Sequence, residues 1–154
     1  MSGWSGKQNT VESKLIINQP FWPALDLAEF INQYRTPSDL PVETVEAGLM
    51  LSMASVNSRL NSYRQQQQAA GIDALDNVPT EQINNQSIQL ILYKRAVFCQ
   101  AKASILRDWP SIDRRSEAEN QARSSEETED RYLEFTDEAI ARFLGRGFIN
   151  AESL

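Results

Sequence analysis

The chain of 154 residues contains one cysteine and no histidine, and these two counts remove most familiar site chemistry. Without histidine there is no His-ligated metal and no Ser-His or Cys-His nucleophile pair. Cys99 stands alone, so no internal disulfide and no Cys-rich zinc site can form. It falls in an apolar stretch, where a thiol behaves as a small core side chain; a reactive thiol is the other reading. Carboxylates are plentiful. Glu126-Glu127 and Glu129-Asp130 are adjacent pairs that would suit general acid/base work if burial drove their pKa values apart. Their segment is almost wholly polar, which predicts a solvated surface. Lys102 and Ser104 stand two apart and do not share a helix face. Gly3/Gly6 and Gly145/Gly147 build no phosphate-cradling loop. There is no Gly-x-Ser-x-Gly elbow, and nothing marks a carboxylate-only cation site. The expectation is a chain with no catalytic residue, no cofactor and no metal.

With no chemistry to position, the elements themselves become the subject. Fifteen bases against 21 acids give a net charge of -6. The summed field repels polyanions, which argues against general affinity for DNA phosphates or anionic lipid. The most apolar stretch, 88–106, is interrupted by Lys94, Arg95 and Lys102 and is too charged to span a bilayer. No signal-peptide core is present near the N-terminus. The length suits one domain made in a reducing cytoplasm.

Residues 1–20 read as a flexible N-terminal arm. Within them Val11 to Ile17 could pair as a strand with a partner; a disordered tail is the alternative. Leu15, Ile16, Ile17, Phe21 and Trp22 are the candidate arm contacts. Residues 21–145 read as the helical domain. Asp26, with Glu29 three residues on, resembles a capping box and predicts a short helix over 27–35, ended by Thr36-Pro37-Ser38-Asp39. Pro41 suits a first turn. Val42, Val45, Leu49, Met53, Val56, Leu60 and Tyr63 then fall at steps of three and four, one face of a helix running to about 70. That is a rod of ~43 Å, stopped by Gly71. A connector over 71–86 is anchored by Leu75, Val78, Pro79 and Ile83. A second long helix, 86–108, is apolar well beyond one face and reads as central. The expected fold class is all-α: a bundle of about three long helices plus a short N-terminal helix, with extended terminal arms. The first two long helices should pack antiparallel.

Residues 113–154 hold eleven acids and six arginines, so most of the net charge lies in the last quarter. Tyr132, Leu133, Phe135, Ala139, Ile140, Phe143 and Leu144 form the stripe of the third long helix. Its polar face is either plainly solvated, or set against a polyanion that must slide past, or set against basic patches of neighbouring subunits. Residues 146–154 are left as a C-terminal docking tail carrying Phe148, Ile149 and Leu154.

The ordered series Asn57-x-x-Leu60-x-x-Tyr63-Arg64, Ala69-Ala70-Gly71, Leu75-x-x-Val78-Pro79, Ile83-x-x-x-Ser87-Ile88, Tyr93-x-Arg95-Ala96-Val97 and Ala101-x-Ala103-Ser104 resembles the head completion (head stabilisation) proteins of peduovirus-type contractile-tailed phages. Phe21-x-Pro23-x-x-Asp26 and Ala139-x-Ala141-Arg142-x-x-Gly145 are similar too. The resemblance covers about 21–146. The chain departs from the pattern at Gln65 to Gln68 and in its last eight residues.

The resemblance implies a head-tail connector adaptor: a virion protein, made in the bacterial host cytoplasm, that rings the portal after packaging. It would hold the genome in and prepare the head for the tail. Its implied partners are the portal protein, a tail-side connector protein and other copies of itself, about twelve in a closed ring. Packaged DNA would pass nearby without sequence-specific binding, and no membrane is involved. Phe148, Ile149 and Leu154 become the candidate portal interface, because such connectors reach the portal by a terminal segment. Glu126, Glu127, Glu129 and Asp130 become candidate channel-facing acids. The alternative class is a small helical regulatory module that binds another protein, such as an antirepressor or antitoxin; an enzyme is the third.

Overall fold

The computed structural model describes residues 11–109 and 127–147. The chain there is mostly helical, with two small antiparallel sheets, so the all-α expectation is corrected to mostly α. The first sheet pairs β1 (Leu15–Ile16) with β2 (Leu25–Asp26), Leu15 opposite Asp26 and Ile16 opposite Leu25. The apolar run read as a strand for a partner therefore pairs within its own chain. Alternation decides its faces: Ile16 is buried, while Leu15 and Ile17 point outward.

Asp26 then caps α1 (Leu27–Tyr34). Its extended backbone, φ −87° and ψ 119°, lets the carboxylate accept from the Ala28 N–H. The same carboxylate accepts from Ser13 Oγ at 2.7 Å and the Lys14 N–H at 3.1 Å, tying β1 to the helix start. The capping-box reading holds only in half. Glu29 does not fold back on Asp26; it takes Lys94 of the central helix at 3.0 Å. Helix α1 stops at Arg35, which turns left-handed (φ 48°) before Thr36-Pro37.

Instead of one rod, residues 42–70 form α2 (Val42–Arg59) and α3 (Asn61–Ala69). Leu60 between them has φ −101° and ψ 11°, although its N–H still reaches the Val56 carbonyl. The break lies among Asn57, Ser58, Asn61 and Ser62, side chains that favour non-helical backbone. It turns Leu60 fully into the core. Gly71 (φ 86°) closes α3: its N–H goes to the Gln68 carbonyl and that of Ile72 to Gln67, a Schellman stop.

The connector holds more order than a loop. Leu75 starts a single 3-10 turn, is buried, and donates its N–H to the Phe21 carbonyl. Strands β3 (Gln82–Ile83) and β4 (Gln86–Ser87) then form a hairpin around Asn84 and Asn85, both at positive φ. Two left-handed residues in a two-residue loop match a type I′ turn, and asparagine tolerates that region. Ile83, expected as an anchor, is largely exposed here. Ser87 follows as the cap of α4 (Ile88–Asp108), its Oγ accepting from the Leu90 N–H.

Helix α4 is the centre. Tyr93, Ala96, Val97, Phe98, Cys99, Ala101 and Ala103 on it are all buried. It runs antiparallel to α2: Gln89 reaches Tyr63, Tyr93 reaches Asn57, and Gln100 lies beside Ser52. It also runs antiparallel to α5 (Glu129–Phe143). Gln89 donates to the Phe143 carbonyl, Thr136 lies against Ala96, and Arg107 faces Glu129. Small side chains on α4 let α5 approach closely. Thr128 caps α5, accepting from the Arg131 N–H, and Gly145 (φ 70°) ends it in a second Schellman stop.

Candidate functional site

The N-terminal segment is fastened by a partly buried polar triangle. Asn57 Nδ2 donates to Asn18 Oδ1 at 2.9 Å, Asn18 Nδ2 donates to Tyr93 Oη at 2.7 Å, and Tyr93 Oη donates to Asn57 Oδ1 at 2.6 Å. Asn18 also donates to the Pro23 carbonyl and accepts from the Gln19 N–H. A closed network of this kind repays its own desolvation, and each member fixes the others. Beside it, Trp22 stacks on Tyr93 with centroids 4.8 Å apart and planes 6° from parallel. The buried Trp22 indole N–H has no acceptor among the described residues, a cost of about 1–3 kcal/mol set against the burial of a large ring.

This geometry sorts the candidate arm contacts. Ile16, Phe21 and Trp22 are core residues, so their apolar area is already used within the chain. Leu15 and Ile17 remain outside; Ile17 is 81% exposed. Lys14 pairs with Glu46 of α2 at 2.7 Å, so the segment lies along that helix.

The acidic candidates divide as well. Glu126 lies outside the described residues. Glu127 and Asp130 are exposed at the start of α5, and Glu129 is half-buried with Arg107 at 4.0 Å. Glu129 and Asp130 occupy the first helical turn, where negative charge offsets the unpaired N–H groups. Phe148, Ile149 and Leu154 lie outside the described residues.

The single thiol is fully buried. Burial pushes Cys99 up in pKa, against a smaller opposing pull from Arg95, and its sulfur sits 3.9 Å from the Tyr34 hydroxyl. A thiol held protonated is a poor nucleophile. One turn on, Lys102 is also buried, with Nζ donating to the Arg35 carbonyl at 3.2 Å. Burial pushes its pKa down, Glu127 opposing. Composition gave no warning of this residue. Its place on the apolar circumference of α4 was the available signal. Among the described residues no group of three or more carboxylates and thiols is placed to hold a metal ion. None of the described helices is long and apolar enough to cross a membrane.

The described residues thus form a small, mostly helical scaffold. The chain belongs to the phage head completion protein (GPL) family, whose model matches residues 16–153. It is 28% identical over 135 residues to the "Head completion/stabilization protein" of Escherichia phage P2, covering 88% of this chain and 80% of that one. It is 26% identical over 117 residues to the "Probable head completion/stabilization protein" of Haemophilus phage HP1, covering 76% and 78%. No solved structure matches it.

Proposed function

We propose that this protein completes the phage head as a structural connector. Copies assemble as a ring on the portal once DNA is packaged, retain the genome, and present the surface on which the tail-side connector docks. The family match across residues 16–153 carries this reading, because it spans every helix described above. A scaffold with Cys99 and Lys102 buried, and Glu127 and Asp130 exposed, suits assembly better than catalysis. On this reading the protein is made in the bacterial host and ends in the virion. The C-terminal segment with Phe148, Ile149 and Leu154 takes the portal contact, and the acids at the start of α5 face the DNA passage.

The test is a phage from which the protein is absent. Heads should fill with DNA, lose it on purification, and fail to accept tails; addition of the protein should restore both. Stable, tailed, infectious particles without it would overturn the proposal. A chain lacking residues 148–154 should keep its folding stability within about 1 kcal/mol and lose association with DNA-filled heads. Undiminished association would remove the tail from the portal contact.

A further inference from the structure

From Ala47 through Ser58 helix α2 carries no charged residue. Half of its circumference nevertheless faces outward: Ala47, Met50, Leu51, Ala54, Ser55 and Ser58 are all exposed. Leu51 is 73% exposed and Met50 52%. The core-facing stripe of Val45, Leu49, Met53 and Val56 is separate from this ridge and already buried. So α2 is apolar on both sides, the pattern of a helix covered on both sides. A shallow groove flanks the ridge on each side. One, of about 160 Å³, brings exposed Ile17 beside Met50; the other, of about 200 Å³, runs along Leu51 and Ser55 toward Ser104 of α4. Met50, Leu51 and Ile17 together leave on the order of 400 Å² of apolar surface in water, as large as the biggest patch on a typical monomer. That is about half of what one partner contributes to a stable interface.

Charge selects the occupant. A chain of net charge -6 repels its own copies wherever acids face each other. The ridge itself has none from Ala47 through Ser58; Glu46 and Arg59 at its ends are paired with Lys14 and Asp137, the second groove is bordered by the Arg107–Asp108 pair, and exposed Glu43 lies one turn before the ridge begins. A strongly basic partner would gain nothing there, whereas a second acidic copy meets no repulsion. Large uncharged contacts are also the mark of permanent subunit interfaces. We infer that the outer ridge of α2 is the surface on which a second copy of this chain seats. This rests on the reading of the protein as a repeated subunit, and it assigns that repetition to a helix face.

The experiment uses the full chain. Sedimentation of the wild-type protein across a concentration series should show self-association. Leu51→Glu should weaken it at least tenfold with an unchanged circular dichroism spectrum and melting temperature. Ile83→Glu, on the hairpin, should leave it intact. In parallel, a photo-reactive phenylalanine analogue at position 51 in assembled particles should give a product of twice the chain mass. Self-association untouched by Leu51→Glu, or a position-51 product joined to a different virion protein, overturns the inference; so does a chain monomeric in solution that yields no doubled product. Absence of the protein from particles would instead defeat the connector reading, while the sedimentation result would still decide the interface.

Discussion

Asn57 stands beside Val56 on the buried face of α2, which is apolar apart from it and Ser52, and Tyr93 meets it from α4. Removing the hydroxyl with Tyr93→Phe keeps the stacked ring but takes a donor from Asn57 and an acceptor from Asn18. The expected loss is about 1–3 kcal/mol, seen as a lower urea midpoint with an unchanged slope. The triangle was not legible beforehand, because its members are 39, 36 and 75 residues apart and Asn18 lay in a stretch read as a free arm. Asp26 was legible, since a cap is a local signal. Its carboxyl is held below the usual carboxylate range, chiefly by the hydrogen bond from Ser13, with the Ala28 and Lys14 N–H groups adding to it and burial opposing. A depressed folded pKa means that this stabilisation is present above the ordinary value and is lost as pH falls below about 4. Asp26→Asn should therefore flatten the decline in stability between pH 5 and pH 3, measured by urea midpoints at each pH.

At the scale of elements, periodicity located α5 and the start of α2, because a long stripe outweighs local noise, while a cap located α1 and a broadly apolar run located α4. It did not show the break at Leu60. The apolar steps pass straight through that residue, and only the run of Asn and Ser around it marks weak helix. Leu60 is almost wholly buried at the hinge, so Leu60→Ala should cost ~2–5 kcal/mol. A thermal melt showing less than ~1 kcal/mol would mean that α3 repacks into the space. The hairpin and the partner of β1 within the chain escaped because each strand is two residues long and gives alternation almost nothing to act on. The hairpin left one signal, the Asn84-Asn85 pair between Ile83 and Gln86. Asn84→Val forces a β-branched residue to positive φ and should cost ~1–3 kcal/mol, whereas Asn85→Gly should be within ~0.5 kcal/mol of wild type. Both are read from urea midpoints. Because the Ile88 N–H at the start of α4 bonds to the Glu81 carbonyl across this hairpin, the loss should reach the first turn of the central helix as faster amide exchange.

Across the whole molecule the imbalance of charge was plain from composition, but the work each acid does was not. Two jobs compete at the start of α5. Locally, Glu129 and Asp130 offset the helix N-terminus, each worth ~0.3–1 kcal/mol, and the Arg107 contact at 4.0 Å adds little in water. Globally, the same acids would keep a passing duplex from sticking on its way through the head. Replacing Glu126, Glu127, Glu129 and Asp130 by their amides separates the jobs. Folding should weaken by only ~1–2 kcal/mol, nearly all of it from Glu129 and Asp130. The wild-type protein should show no duplex affinity at physiological or low salt, since a chain of net charge -6 repels phosphates. Phage carrying the four amides should eject DNA more slowly, because removing four negative charges lowers the repulsion that holds the duplex off the wall. Ejection at the wild-type rate, with only a loss of solubility in the isolated protein, would reduce these acids to a solvated outer face.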